Sequence, residues 1–172
     1  TTRHILLLVL PIPLVLALCL LSGASGFGLP DMATPTGRAL LELRLCRAVT
    51  GFFVGAALSC SGCALQAVLR NALAEPYILG VSSGGSLGAA LVIASGLSFA
   101  LPLALPAGAF LAAAATLILI CLLSQRADGF TSNTLLLTGV VAGSMLSSLL
   151  MLVLSFAQTR AVHSITWWLL GN

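Results

Sequence analysis

Glu75 is the only acidic residue between Glu42 and Asp128. On either side of it the chain runs in long, continuous apolar stretches rather than alternating ones. Alternation would suit the strands of a membrane barrel, whereas continuous apolar runs of about 20 residues suit helices that cross a bilayer. In lipid every backbone N–H and C=O must be satisfied within the protein, which leaves only helices or a closed barrel. Charged residues make up 6% of the 172, against about 25% in a soluble domain. With 59% hydrophobic residues and a mean hydropathy of +1.16, the chain could not cover a water-facing surface. The expected fold is all-α: a polytopic membrane helical bundle in a single domain, 1–172.

Five spans are expected, at about residues 5–21, 48–69, 78–97, 107–124 and 135–156, with 157–172 as an interfacial segment. The first is read as a retained helix kinked by Pro11 and Pro13. Its basic start, apolar core and small residues Ser22 to Gly26 also fit a signal peptide. Residues 27–47 read as a mixed loop, with turn chemistry at Pro30-Asp31 and at Thr34-Pro35-Thr36-Gly37. Within it, 38–45 forms a short amphipathic helix with Leu41 and Leu45 on one face and Arg38 and Glu42 on another. In the second span, Gly51, Gly55, Ser59 and Cys63 recur every fourth position, a face suited to close helix packing. Gln66 is costly in lipid and is expected to face protein or a water-filled path.

Between the second and third spans lies a polar island, Arg70 to Pro76, that holds Glu75. Gly80, Gly84, Gly85 and Gly88 follow it. Glycine weakens a helix by about 1 kcal/mol per site in water; in a bundle it permits tight contact or a break. The string lacks a following Lys-Ser/Thr and no strand precedes it, so it is not a phosphate-binding loop. Pro102 and Pro106 mark a short turn. Thr131-Ser132-Asn133-Thr134 starts the fifth span, with Ser132 or Asn133 as the capping oxygen. Gly139, Gly143, Ser147 and Ser148 form a second small-residue face. Trp167 and Trp168 read as interface anchors, and His163 as a surface residue.

The chemistry-bearing residues are sparse. Cys60-x-x-Cys63 has redox or metal spacing, but no second pair and no nearby His accompany it. The five cysteines therefore read as small apolar residues, and no metal or cofactor is expected. Glu75 and Asp128 lie in separate loops and both histidines lie near the ends, so no catalytic constellation exists. The seven arginines are scattered, without a basic run or interleaved aromatics, which argues against nucleic acid.

Orientation is the anomaly. With the N-terminus inside, Arg3, Arg70 and Arg126 are cytoplasmic, whereas Arg38, Arg44, Arg47 and Arg160 lie outside, against the positive-inside tendency. Arg44 and Arg47 share one face at the mouth of the second span. Such a pair suits recognition of carboxylates on a partner; snorkelling or pairing with Glu42 is the bland alternative.

Several of these segments resemble one family. They are Leu43-Arg44-Leu45-Cys46-Arg47, Gly55-Ala56-Ala57-Leu58 with Ser61-Gly62, Gln66, and the long stretch Arg70-Asn71 through Leu73-Ala74-Glu75-Pro76 to Leu79-Gly80-Val81-Ser82-Ser83-Gly84. Leu135 to Val140 and Trp167 to Asn172 fit as well. From about Leu43 onward the chain resembles the FecCD-type permeases, the transmembrane subunits of ABC importers for iron–siderophores, haem and vitamin B12. The resemblance implies a multi-pass inner-membrane permease that does no chemistry itself. Its partners would be a periplasmic substrate-binding protein, a cytoplasmic ABC ATPase subunit, a second permease copy and the lipid bilayer.

Residue by residue, the resemblance implies that Arg44 and Arg47 dock glutamates of the binding protein. Ser59, Gln66 and Ser147 would line the translocation pathway. Asn71, Leu73, Ser132 and Asn133 would form the cytoplasmic gate, and Arg70, Glu75, Pro76 and Gly80 the signature loop. Glu75 has three open roles: bonding the Gly80–Ser83 backbone, pairing with Arg70, or contacting the ATPase. Cys46 and Ala72 stand where the family usually has proline, which removes two rigid backbone positions. The family's subunit is about twice as long, with about ten spans of bilayer length. The expectation is therefore the N-terminal half of a permease, as a fragment or one part of a split subunit. A non-transporting structural remnant is the alternative.

Overall fold

The computed structural model describes residues 9–23, 26–72, 74–77, 79–127 and 131–171. Among these residues are seven helices and one two-stranded ribbon: α1 (Pro11–Leu21), β1 (Ser22–Gly23), β2 (Gly26–Phe27), α2 (Pro35–Leu69), α3 (Val81–Ala94), α4 (Leu97–Ala100), α5 (Ala104–Ala127), α6 (Ser132–Phe156) and α7 (Thr159–Leu169). The fold is an all-α membrane bundle. Three helices, α2, α5 and α6, are long and apolar enough to cross a membrane, and α1 and α3 are shorter apolar helices. Large side chains such as Phe53, Phe110, Leu137 and Met151 are exposed along them. Lipid, unlike water, exacts no penalty for that exposure. Two compact units are present, 1–60 and 61–172.

In the first unit, α2 starts earlier than expected. Thr34 and Pro35 open a helix rather than a turn: the Thr34 hydroxyl accepts from Gly37 N at 3.1 Å, and Pro35 takes the first helical position, where its missing N–H costs nothing. The predicted short helix over 38–45 and the span from 48 onward are one continuous 35-residue helix. No Pro or Gly at Leu45-Cys46-Arg47 interrupts it. Val9 is helical, Leu10 is a turn, and Pro11 then opens α1 with Pro13 in its first turn, where proline is tolerated. Residues 5–8 of the expected first span lie outside the described residues. β1 and β2 pair antiparallel, Ser22 with Phe27 and Gly23 with Gly26. Arg44 ties this ribbon region to α2. Its Nη1 donates to Leu20 O at 2.9 Å and to Gly28 O at 2.8 Å, and a Cβ at Gly23 would collide with its guanidinium.

In the second unit, α3 packs against α5, α6 and α7. It is shorter than the span expected over 78–97 because a glycine in the left-handed region bounds each end: Gly80 at φ 68° and Gly96 at φ 74°. On the α5 side, a Cβ on Gly84 would collide with Thr116. One on Gly88 would lie 2.5 Å from Gly108 O. Glycine here opens room for a neighbouring helix, so its local propensity cost is repaid by close backbone packing. α5 begins at Ala104, ahead of Pro106, which falls in the first turn rather than in a loop. One core cluster joins Leu69, Ala74, Ile120, Leu135 and Ala142. A second joins Ala90, Ile93 and Ile165, with Ala161 and Trp168 packed on it.

Candidate translocation path and docking arginines

The loop after α2 is held by its own polar groups. Arg70 has a φ of 47°, the one positive value at a non-glycine among the described residues. This turn lets Asn71 N donate back to Gln66 O at 3.2 Å and Ala74 N donate to Asn71 O at 3.1 Å. The Gln66 amide closes it by donating to Ala72 O at 3.0 Å. Gln66 thus ties the last turn of α2 to the loop that follows it. Ala74 is fully buried, Pro76 is half-buried and Glu75 is exposed. Among the described residues no group hydrogen-bonds the Glu75 carboxylate, so neither of its two structural roles is formed with them.

The loop after α2 leads to Gly80, which touches α6. A Cβ on Gly80 would lie 2.9 Å from Gly143 Cα and 3.0 Å from Gly139 O. One turn further on, Ser83 and Ser147 share a hydrogen bond of 3.1 Å. The small-residue face expected on the fifth span is therefore packed, and its partner is the start of α3. The pairing of Ser83 with Ser147 escaped the sequence reading because the two lie 64 positions apart. The corresponding face on α2 differs: among the described residues, nothing beyond the adjoining backbone of α2 lies within 4 Å of a Cβ at Gly51 or Gly55. Ser59 is exposed and bonds its own helix at Gly55 O, 2.8 Å away.

The residues expected along the path thus divide. Ser59 belongs to the first unit and Gln66 and Ser147 to the second, where no hydrogen bond joins the latter two. Of the expected gate residues, Leu73 lies outside the described residues. Asn71 is half-buried, and Asn133 is exposed. The ends that carry them do meet: Leu69 and Ala74 share a core cluster with Leu135. The cap of α6 is neither Ser132 nor Asn133. Thr131 holds it, its hydroxyl accepting from Thr134 N at 3.2 Å. Among the described residues the Ser132 hydroxyl is instead buried without a hydrogen-bond partner, as is that of Ser124.

Arg44 is half-buried against two carbonyls, as described above, and Arg47 is exposed. On α7, Trp167 is not a lone anchor. Its indole N–H donates to His163 Nε2 at 2.7 Å, one turn away. The opposite face, Ala161, Ile165 and Trp168, enters the core. Cys60 and Cys63 are exposed free thiols.

Long apolar helices packed through glycine, with their large apolar side chains exposed, define a polytopic membrane bundle. The chain belongs to the FecCD transport family, whose sequence pattern matches residues 7–172. It is 39% identical over 138 residues to the ABC transporter permease protein YvrB of Bacillus subtilis, covering 77% of this chain and 38% of the relative. It is 34% identical over 175 residues to the vitamin B12 import system permease protein BtuC of Shigella boydii, covering 99% and 52%. A solved structure of a metal-chelate type ABC transporter in an inward-facing conformation superposes with a TM-score of 0.80 at 29% identity, covering 100% of this chain and 54% of the other. The chain spans about half or less of the length of these relatives. It is a multi-pass membrane protein of an ABC importer family.

Proposed function

We propose that this chain is the N-terminal, five-span half of an inner-membrane permease that passes an iron chelate, haem or a cobalamin from a periplasmic binding protein into the cytoplasm. The family match over residues 7–172 carries the reading. Likeness both to a vitamin B12 permease and to a metal-chelate transporter supports that substrate range. α2, α5 and α6 supply spans of full length, and the shorter apolar α1 and α3 belong to the other two expected spans. ATP is hydrolysed by a separate subunit, and its free energy drives alternation between outward- and inward-open states.

In this reading Arg44 and Arg47 receive carboxylates of the binding protein. Arg44 fixes the mouth of α2 while Arg47 presents the more exposed guanidinium. Ser59, Gln66 and Ser147 border the path. Asn71 and Leu73 on one side and Ser132 and Asn133 on the other form the inner gate, on ends that share one core cluster. Two permease copies assemble with two ATPases. Site-specific photocrosslinking from position 47 tests the docking. Crosslinks to the binding protein, lost when that protein's surface glutamates are changed to lysine, are the expected result. Crosslinks to lipid alone would overturn it.

A further inference from the structure

Gly23 is constrained by a side chain rather than by its own backbone. It pairs with Gly26 in the β1–β2 ribbon. It is not among the glycines with a positive φ, so the backbone at this position would accept alanine. What leaves no room for a side chain is Arg44. The three atoms that a Cβ on Gly23 would meet first are Nη2, Cζ and Nε of that guanidinium, the last two at 2.6 Å each. A guanidinium is the far end of a flexible side chain, so on adding a methyl group it is Arg44 that moves, not the ribbon.

Three points of one segment therefore fix the end of Arg44. Its Nη1 donates to Leu20 O and to Gly28 O, and Gly23 lies against the rest of the group. Gly28 N donates to Leu21 O at 2.7 Å, which closes the segment on itself at the foot of the ribbon. Arg44 and Arg47, one helical turn apart on α2, line a cleft of about 660 Å³ together with Ser22 and Gly23, and no Asp or Glu lines it. Two cations without an acid in the same cleft suit a carboxylate supplied from outside. Guanidinium recognition of carboxylates is directional, so the spacing of the two groups matters as well as their charge.

We propose that Gly23 is a positioning residue for docking of the binding protein: its bare Cα is the seat of the Arg44 guanidinium, and the spacing of Arg44 from Arg47 depends on that seat. The proposal rests on the docking reading above and adds the ribbon to it. Gly23 touches no partner itself; it acts through Arg44.

The test is a double-mutant cycle on uptake of radiolabelled cobalamin and of a radiolabelled ferric chelate by cells of the source strain. The chromosomal copy is replaced by Gly23→Ala, Arg44→Ala, the two together, Arg44→Lys, Gly23→Ala with Arg44→Lys, or Arg47→Glu. Uptake is expressed per chain in the membrane, measured by immunoblot, so a loss of folding lowers the amount and not the ratio. Gly23→Ala removes no charge, yet it should lower uptake per chain about tenfold, the worth of about one charge-assisted hydrogen bond. Arg44→Ala should do the same, and the double variant should be no worse than Arg44→Ala, because residues that act through one contact are not additive. In the Arg44→Lys background the compact ammonium leaves room for the methyl group, and Gly23→Ala should change nothing there. If Gly23→Ala alone does not accumulate, that background carries the test: accumulation and uptake must return to the Arg44→Lys level, and failure to return overturns the proposal. Additive losses in the double variant would also overturn it, since Gly23 would then act by another route. Uptake lowered by Arg47→Glu but not by Gly23→Ala would overturn the proposal and leave docking intact. Uptake lowered by neither would overturn the docking reading and the proposal with it.

Discussion

Gly80 and Gly143 meet backbone to backbone: a Cβ on Gly80 would stand 2.9 Å from the Cα of Gly143. The same residue holds a φ of 68° as the first turn of α3 begins. Two independent demands, a left-handed backbone and the absence of a side chain, therefore fall on one position. The signature loop and α6 are joined there.

Gly80→Ala should destabilise the second unit by about 2–4 kcal/mol, the sum of the left-handed backbone penalty and the overpacking against Gly143. Gly143→Ala faces the packing term and should lose less. Thermal or dodecyl sulfate unfolding in mild detergent measures both. An unchanged midpoint for Gly80→Ala would mean that α3 and α6 are not in contact.

The cap of α6 separates three neighbours. Thr131→Ala removes the hydroxyl that accepts from Thr134 N and should cost about 1 kcal/mol. Asn133→Ala, at an exposed site, should be near neutral. Ser132→Ala should be neutral or stabilising, because a buried hydroxyl without a partner is itself unfavourable. Hydrogen exchange over residues 131–136 reads the cap locally.

Ser83 and Ser147 bond across α3 and α6. A double-mutant cycle to alanine should give a coupling of about 0.6 kcal/mol, the average for polar pairs between membrane helices. Zero coupling would place Ser147 outside the helix contact and leave it to the transport path alone.

Arg44→Ala removes two charge-assisted bonds to carbonyls, Leu20 O and Gly28 O, and should cost the first unit about 2 kcal/mol. Limited proteolysis should then cut faster between residues 20 and 30. Arg44→Lys keeps the charge but not the planar fork, and should fall between the two.

How much of this was legible in the sequence depends on the range of the interaction. The α-helical class, the membrane setting and the family resemblance follow from apolar run length and a few quoted motifs, and all three hold. Local termini were less legible. Thr34-Pro35 reads equally well as a turn or a helix start, and only the Gly37 N–H on the Thr34 hydroxyl decides it. The cap among four polar residues at 131–134 is a choice between near-equivalent oxygens. Long-range pairings were not legible at all. Glycines at 80, 84 and 88 announce close contact, but the partners, Gly143, Thr116 and Gly108, are fixed by how α3 lies among its neighbours. Arg44 likewise reads from the sequence as a docking group, a snorkelling residue or a partner of Glu42, because its carbonyl partners carry no side-chain signal in the sequence.

The most direct test of the account is uptake in cells of the source strain. The chromosomal copy of this gene is deleted, then restored with the native sequence or with Arg47→Glu. Radiolabelled cobalamin and a radiolabelled ferric chelate are offered in turn. The account expects energy-dependent uptake of at least one of them to disappear on deletion, return with the native sequence, and fall at least tenfold with Arg47→Glu, as charge reversal at a docking pair costs several kcal/mol. Uptake of both compounds unaffected by the deletion would contradict it.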